Sequence, residues 1–171
     1  MDLMIRRTAL LGSLKKDDLV AYEAYNLSFD GTTSTVINTG VYLFTAENIN
    51  RDFEVVVEGI VGRTTNTNTN TIICAKHNGN SYGFLVRAAV NTSTAYNGTI
   101  FVKPMPDSAS IIIRRQNGVI TVSGTNITNP GVNFTNDVFA WPLVLGCAIN
   151  DDGSYFRYAT GTIDHVLVKW I

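Results

Sequence analysis

Charge is scarce in this sequence: Asp, Glu, Lys and Arg make up 16% of the 171 residues, against about 25% in typical globular domains. The formal net charge is −1, which argues against nucleic acid as the main partner, because nucleic-acid-binding domains carry a clear excess of positive charge. No run of about 18 apolar residues occurs, so we expect no transmembrane helix and no membrane partner. Hydrophobic residues still make up 45%, which suits the core of one domain.

Cysteine and histidine are equally scarce, with two residues of each. Cys74 and Cys147 both stand inside apolar runs, where buried thiols that behave as small hydrophobes are the usual case. A disulfide between neighbouring strands stays an alternative, but two cysteines make no framework. Neither His77 nor His165 has further ligands at metal-binding spacing, and no glycine-rich phosphate loop opens a helix. We therefore predict no catalytic site and no resident cofactor.

The first 24 residues differ in composition from the rest, since cationic side chains alternate there with scattered Leu and Ile. We interpret residues 1–24 either as an arm lying on the domain or as an attachment segment, whose apolar side chains enter grooves on a partner while its arginines pair with carboxylates. A secretory signal peptide is disfavoured, because Lys15-Lys-Asp-Asp18 follows where a cleavage site of small residues should be. The residues assigned to docking are Leu3, Ile5, Arg6, Arg7, Leu10 and Leu11.

From residue 25 onwards, short strand-like segments recur with turn signals between them, which is typical of a β-sandwich. The clearest hairpin has Asn117-Gly118 at its tip, the signature of a type I′ turn. A two-residue loop at that place puts Ile113 opposite Val122, so that the apolar residues of both strands share one face.

Three further stretches predict which side chains face the core. Leu143 to Ile149 is a continuous apolar run and indicates one buried strand. Near the end of the chain the apolar positions change phase between Ile163 and Val166, so we predict a β-bulge at Asp164-His165. Asp52 to Gly62 alternates, and its predicted inward residues are Phe53, Val55, Val57 and Val61.

The end of the chain resembles that of the concanavalin A-like lectin and laminin-G-like superfamily. The resemblance rests on Pro142 to Gly146, followed by Tyr158, Gly161, Ile163, Val166 and Val168; Leu27 to Thr32 and Ile37 to Phe44 resemble the opening strands. It covers residues 25–171 and implies an all-β, two-sheet antiparallel jelly-roll sandwich, with residues 1–24 as a short N-terminal arm. The shared motifs are structural, so they imply a binding surface without naming its ligand.

An Arg-Arg opening ahead of a laminin-G-like domain resembles virion proteins of bacteriophages and prophages. This resemblance implies a non-enzymatic structural or adhesion module of a phage particle, associated with capsid or tail, made in the host cytoplasm and located in the virion. Its partners would be other virion proteins, copies of itself in an oligomer, or cell-surface glycan. The alternative is a free carbohydrate-binding lectin, which would be extracellular, and a glycoside hydrolase ranks third.

Glu54-Val-Val-Val-Glu58 stands where laminarinase-like glycoside hydrolases of this superfamily carry Glu-x-Asp-x-(x)-Glu. Val56 replaces the central Asp. Residues i and i+4 of a strand lie about 13 Å apart, whereas a retaining mechanism needs carboxyl groups about 5 to 5.5 Å apart. We therefore interpret Glu54 and Glu58 as residues of a solvated face and predict no enzymatic activity.

Tyr155-Phe-Arg-Tyr158 is the polar-aromatic cluster best suited to stacking on a sugar or to a protein interface. We expect Phe156 and Tyr158 to anchor this loop and the other two to be exposed. Asp151 and Asp152 could supply two ligands to Ca²⁺, but an ordinary polar turn is favoured, and no other metal site is predicted. The ligand-binding candidates, on the concave face or the rim loops, are Tyr155, Arg157, Glu54 and Glu58.

Overall fold

The computed structural model describes residues 19–48, 50–62, 70–75, 84–87, 91–96, 99–104, 109–123, 125–126, 141–150 and 152–171. Within these ranges the chain forms fourteen strands and one 3₁₀ turn, Thr33–Thr35. The strands are β1 Leu19–Asp30, β2 Ile37–Asn38, β3 Phe53–Ile60, β4 Thr71–Ala75, β5 Phe84–Arg87, β6 Asn91–Tyr96, β7 Thr99–Pro104, β8 Ala109–Gln116, β9 Val119–Val122, β10 Thr125–Asn126, β11 Val144–Leu145, β12 Ala148–Ile149, β13 Tyr155–Phe156 and β14 Thr160–Trp170.

Two six-stranded antiparallel sheets make up the architecture. Sheet A has the order β1-β14-β3-β8-β9-β10, sheet B has the order β2-β11-β4-β5-β6-β7, and β12 pairs with β13 as a separate hairpin. Apolar side chains of both sheets meet in one buried core. The predicted all-β antiparallel sandwich is thereby confirmed. Across the described ranges, no helix has the length and apolar character needed to cross a membrane.

Strand β1 corrects the predicted boundary at residue 25. Residues 19–24, assigned to the arm, pair with the last strand from Leu19 opposite Trp170 to Ala24 opposite Val166. Tyr22 and Ala24 pack against the core, so the sandwich extends at least to Leu19. The docking residues Leu3, Ile5, Arg6, Arg7, Leu10 and Leu11 lie outside the described residues.

The hairpin β8–β9 agrees with its prediction. Ile113 is opposite Val122, and both side chains are buried. Asn117 and Gly118 have φ values of 51° and 76°, which are the two positive values that a type I′ turn requires.

The single strand predicted over Leu143 to Ile149 is wrong, because the chain turns at Gly146. Strand β11 stays in sheet B, while β12 leaves that sheet and pairs with β13. Gly146 has a φ of 86°, and a Cβ here would lie 2.5 Å from Cδ1 of Phe29. Only glycine fits this turn without displacing a core side chain. The β12–β13 hairpin that results lies over the outer face of sheet B.

The predicted change of phase in β14 is present: Ile163 and Val166 are both buried. The register of β14 with its neighbours β1 and β3 stays constant through this point. The change is therefore a kink shared by three strands, whereas the prediction was an extra residue in one of them. Beside this kink, an extra residue lies between β3 and β8, where the register shifts between Val57 and Ile60.

The shared kink has a local cause in the two outer strands of the three. Asn26 in β1 has a φ of 53° and Gly59 in β3 has a φ of 67°, values that Asn and Gly adopt most readily. A Cβ at Gly59 would overlap the carboxylate of Asp164. Because β3 changes phase here, Ile60 is buried and Val61 is 42% exposed, so the predicted inward position of Val61 is wrong.

Candidate functional site

The outer face of sheet B is covered by a second apolar layer. All five residues of β4 are buried, since Ile73 and Ala75 face the main core and Cys74 faces the opposite side. The layer on that side consists of Cys74, Leu85, Val144, Cys147, Ala148 and Ile149, with Val36, Trp141, Tyr155, Phe156 and Tyr158 packed against it. Sheet B thus carries, on its outside, the hairpin that contains the predicted ligand candidates.

The two cysteines both belong to this layer. Each is a buried thiol, and they are not joined by a disulfide. Burial, and then the neighbouring Cys74, raise the pKa of the Cys147 thiol to about 12. A thiol in that state stays protonated near neutral pH and is a poor nucleophile. The interpretation of Cys74 and Cys147 as small buried hydrophobes is confirmed.

Arg157 follows β13 in a left-handed backbone conformation, with a φ of 54°. Its carbonyl oxygen accepts a hydrogen bond of 3.1 Å from the Thr71 amide, and its Cζ lies 4.8 Å from the ring centroid of Phe156. This conformation costs a residue with a side chain about 1 kcal/mol or more. Contacts with β4 and Phe156 therefore hold Arg157 where its own backbone preference would not.

Arg87 is the functional candidate that sequence reasoning did not identify. It follows Val86, which faces the main core, so Arg87 faces the outer side of β5. In the register of the sheet it is opposite Thr71, the residue whose amide binds the carbonyl of Arg157. The two arginines therefore reach the same level of sheet B.

The charges of the two arginines interact across a partly buried surface. Burial, followed by the charge of Arg157, lowers the pKa of the Arg87 guanidinium. A place with two guanidinium groups at one level of the sheet, one of them over the Phe156 ring, is chemically suited to an anion.

The predicted division of the 155–158 cluster is wrong in one respect. Tyr155 and Arg157, expected to be the exposed members, are half-buried, and so are Phe156 and Tyr158. Tyr155 packs against the second apolar layer, and its carbonyl oxygen accepts a 2.7 Å hydrogen bond from the hydroxyl of Tyr158. The cause is the β12–β13 pairing, which draws this segment onto sheet B.

Glu54 and Glu58 do not join this cluster. They alternate in β3 with the buried Val55 and Val57, so they lie on the outer face of sheet A, across the sandwich from the arginines. Glu54 binds Nε of Arg114 at 2.9 Å and Nζ of Lys169 at 3.2 Å, and Glu58 binds Nδ1 of His165 at 2.8 Å. The four predicted ligand-binding residues therefore belong to two separate surfaces.

The acidic turn before β13 has its own hydrogen bonds. Oδ1 of Asp152 accepts from the backbone amide of Ser154 at 2.9 Å and from its hydroxyl at 2.6 Å, as in the ordinary polar turn favoured above. Asp151 lies outside the described residues. In the part of the chain that the structure covers, no three His, Cys, Asp or Glu side chains are arranged to hold a metal ion.

No family model and no curated protein matches this chain, but solved structures share its fold. NanB sialidase from Streptococcus pneumoniae matches with a TM-score of 0.53 and 10% identity, over 87% of this chain and 26% of that one. Leech intramolecular trans-sialidase, complexed with 2,7-anhydro-Neu5Ac, matches at 0.54 and 10%, over 89% and 26%. The CBM40 of Ruminococcus gnavus IT-sialidase, bound to α2,6 sialyllactose, matches at 0.50 and 12%, over 87% and 92%.

The extent of these matches differs. The chain spans 26% of each full sialidase but corresponds to 92% of the CBM40 domain. At 10 to 12% identity, the similarity shows a common sandwich fold.

Proposed function

We propose that this domain is a carbohydrate-binding module for an anionic glycan. The observation that carries the proposal is the placing of two arginines at one level of sheet B: Arg87 is opposite Thr71, whose amide binds the carbonyl of Arg157, and the Arg157 guanidinium lies over the Phe156 ring. Two like charges at one half-buried place are unfavourable on their own, and an anion bound between them relieves their repulsion. A carboxylate on a sugar ring has this chemistry.

The fold supports the same conclusion from a second direction. The CBM40 structure that shares this sandwich is described as bound to α2,6 sialyllactose, a carboxylate-bearing sugar. A domain of this fold thus binds such a ligand in that protein, and the arginine pair is the feature of this chain that would select it.

The mode of binding follows from the geometry of the side chains. A guanidinium group can give two parallel N–H···O bonds to a carboxylate, and each hydrogen bond to a charged group contributes about 1.5–3 kcal/mol. The Arg157 guanidinium lies over the Phe156 ring, and this contact helps to hold it in position for the carboxylate.

Titration of the protein with sialyllactose, and with neutral lactose as the uncharged comparison, tests this proposal by calorimetry. Arg157→Gly is the most informative variant, because glycine relieves the left-handed backbone strain while removing the guanidinium. We expect its melting temperature to stay the same or rise, while affinity for sialyllactose falls roughly 10- to 100-fold. Arg87→Gln should weaken binding to a similar degree, and added salt should weaken the wild type.

Arg114→Gln is the matched control, since Arg114 lies on the outer face of sheet A and pairs with Glu54. It should bind sialyllactose like the wild type. Equal affinity of the wild type for lactose and sialyllactose would contradict the anionic ligand class, and retention of binding by both Arg157→Gly and Arg87→Gln would remove the site from sheet B.

The domain is, in this proposal, non-catalytic: the Glu54 and Glu58 carboxylates are each bound to cationic partners. The second candidate role is that of a phage structural or adhesion module in the virion, supported by the Arg-Arg opening described above. A truncation that tests this role must end before Leu19, because a longer one would also remove the start of β1. A chain lacking residues 1–18 should stay folded and fail to enter particles.

A further inference from the structure

A cluster of four side chains on the outer face of sheet A plays no part in the proposed sugar site. The His165 ring in β14 lies between two carboxylates: Nδ1 is 2.8 Å from Oε2 of Glu58 in β3, and Nε2 is 3.1 Å from Oε1 of Glu23 in β1. Tyr25 stacks on the imidazole, with 4.6 Å between ring centroids and 13° between planes. Its hydroxyl donates a 2.6 Å bond to Glu23.

The protonation state of the imidazole follows from this geometry. An ionised carboxylate only accepts hydrogen bonds, and a neutral imidazole has a single N–H to give. Both contacts are therefore favourable only when His165 carries two protons and a positive charge. Loss of one proton would turn one contact into two facing lone pairs and leave one glutamate without its donor.

We propose that the Glu23–His165–Glu58 bridge is a proton-operated clamp, which fastens the edge strand β1 to sheet A in mildly acidic solution and releases its first half in alkaline solution. Strand β1 stands at the edge of its sheet, with β14 as its neighbour there. Leu19 and Val20 in that half are 58% and 59% exposed. A segment with so little buried apolar surface opens locally at small cost in free energy. A bridge at its end therefore changes how readily it opens.

The charged groups around the ring agree with this direction. Burial acts to lower the pKa of His165, but the hydrogen bonds and charges of Glu58 and Glu23 outweigh it and raise the pKa. The Tyr25 hydroxyl, followed by His165, holds the pKa of Glu23 below its usual value despite some burial. Two further charged side chains lie on the outward side of β14: Asp164, which is exposed with its carboxylate beside Gly59, and Lys169, which pairs with Glu54.

The pH window follows from these two shifts. A raised histidine pKa contributes stability that is fully present below the ordinary value of 6.5 and is lost as the pH rises through the folded-state value. A lowered glutamate pKa contributes stability that is present above 4.5 and is lost as the pH falls. The clamp is therefore tightest between those two values; it loosens as the pH rises through the folded-state pKa of His165 and as the pH falls through that of Glu23.

Hydrogen exchange on the whole protein tests the clamp. Protection of the Leu19–Tyr25 amides is measured at about pH 5.5 and about pH 8.5, on either side of the ordinary histidine value, and divided by that of the β3 amides, so that the intrinsic pH dependence cancels. We expect this ratio to fall several-fold in the wild type at the higher pH. His165→Gln should give a low ratio at both values, and His165→Arg, which keeps charge and donors, a high ratio at both.

Nuclear magnetic resonance provides a second readout that leaves the bridge intact and so does not depend on the His165 variants folding. With His77→Gln removing the other histidine, the ring protons of His165 should titrate above the ordinary value. A midpoint at or below that value would overturn the proposal. So would an equal pH dependence of the β1 ratio in the wild type and in His165→Gln.

Discussion

The outer faces of the two sheets differ in how they are kept from exposing apolar surface. Each sheet has one face in the main core and one face that must be covered or made polar. Sheet B covers its second face with the β12–β13 hairpin and a second apolar layer. On sheet A, among the residues that the structure describes, the second face carries ion-paired side chains: Glu54 with Arg114 and Lys169, and His165 with its two glutamates.

This difference explains why the candidate anion site lies on sheet B and not on sheet A. On sheet A, the charges described above have partners within the face itself. On sheet B, the apolar cover draws the 155–158 segment down onto the strands and brings the backbone of Arg157 to Thr71, which is opposite Arg87. Two like charges are held at one level of the sheet by these backbone contacts. Unfavourable electrostatics held in place by packing is a common property of binding sites.

Gly146→Ala should have the largest effect on stability, because Gly146 forms the turn at which the apolar cover of sheet B begins. The new methyl group would lie 2.5 Å from Phe29, at a φ of 86°, and we expect a loss of about 3 kcal/mol in the free energy of unfolding. Gly118→Ala is the matched control, with a φ of 76° and no atom within 4 Å. Chemical denaturation of both variants separates the steric part from the backbone strain. Equal losses would show that Phe29 yields freely.

A pair of leucines tests the cover itself. Leu85 faces the second apolar layer and is 6% exposed, whereas Leu167 lies half-buried on the outer face of sheet A. Leu85→Ala should cost about 2 kcal/mol, near the low end for a buried leucine, and Leu167→Ala less than about 1 kcal/mol. Urea denaturation of each variant gives the two values. A larger loss of stability for Leu167→Ala than for Leu85→Ala would mean that the outer face of sheet A is the better buried of the two.

The smallest effect is expected on the charged face. Glu54→Gln removes the carboxylate that binds Arg114 and Lys169, and partly exposed ion pairs of this kind contribute less than about 1 kcal/mol. The loss should shrink further in high salt, because the charges are screened. Denaturation at low and high ionic strength measures it. A salt-independent loss of more than about 2 kcal/mol would show that Glu54 supports the core instead.

Sequence reasoning succeeded where the determinants are local. Asn117-Gly118 gave the type I′ hairpin and its register because both positive φ values belong to those two residues. The change of phase between Ile163 and Val166 was visible as a break in alternation. The sequence does not show that β1 and β3 have the same change of phase. Asn26 and Gly59 can be matched with it only when the three strands lie side by side.

The candidate site was only partly predictable for the same reason. Tyr155 and Arg157 were singled out by residue type, and they do lie on one surface. Arg87 ends an otherwise apolar strand and gives no signal of its own; its partner is 70 positions away in the numbering of the chain. Grouping Glu54 and Glu58 with them was wrong, because residue type does not say which outer face of a sandwich a strand presents.

The sequence by itself determined the all-β class, the turn chemistry and most of the inward-facing side chains, since alternation and turn residues act over a few neighbouring positions. Only the tertiary structure decided that the run Leu143 to Ile149 breaks at Gly146 and that the resulting hairpin covers sheet B. It also decided that Arg87 and Arg157 reach the same level of sheet B and that His165 lies between Glu23 and Glu58. Each of these depends on contacts between strands far apart in the chain. Such contacts are fixed by packing two sheets against one another, which no local pattern encodes.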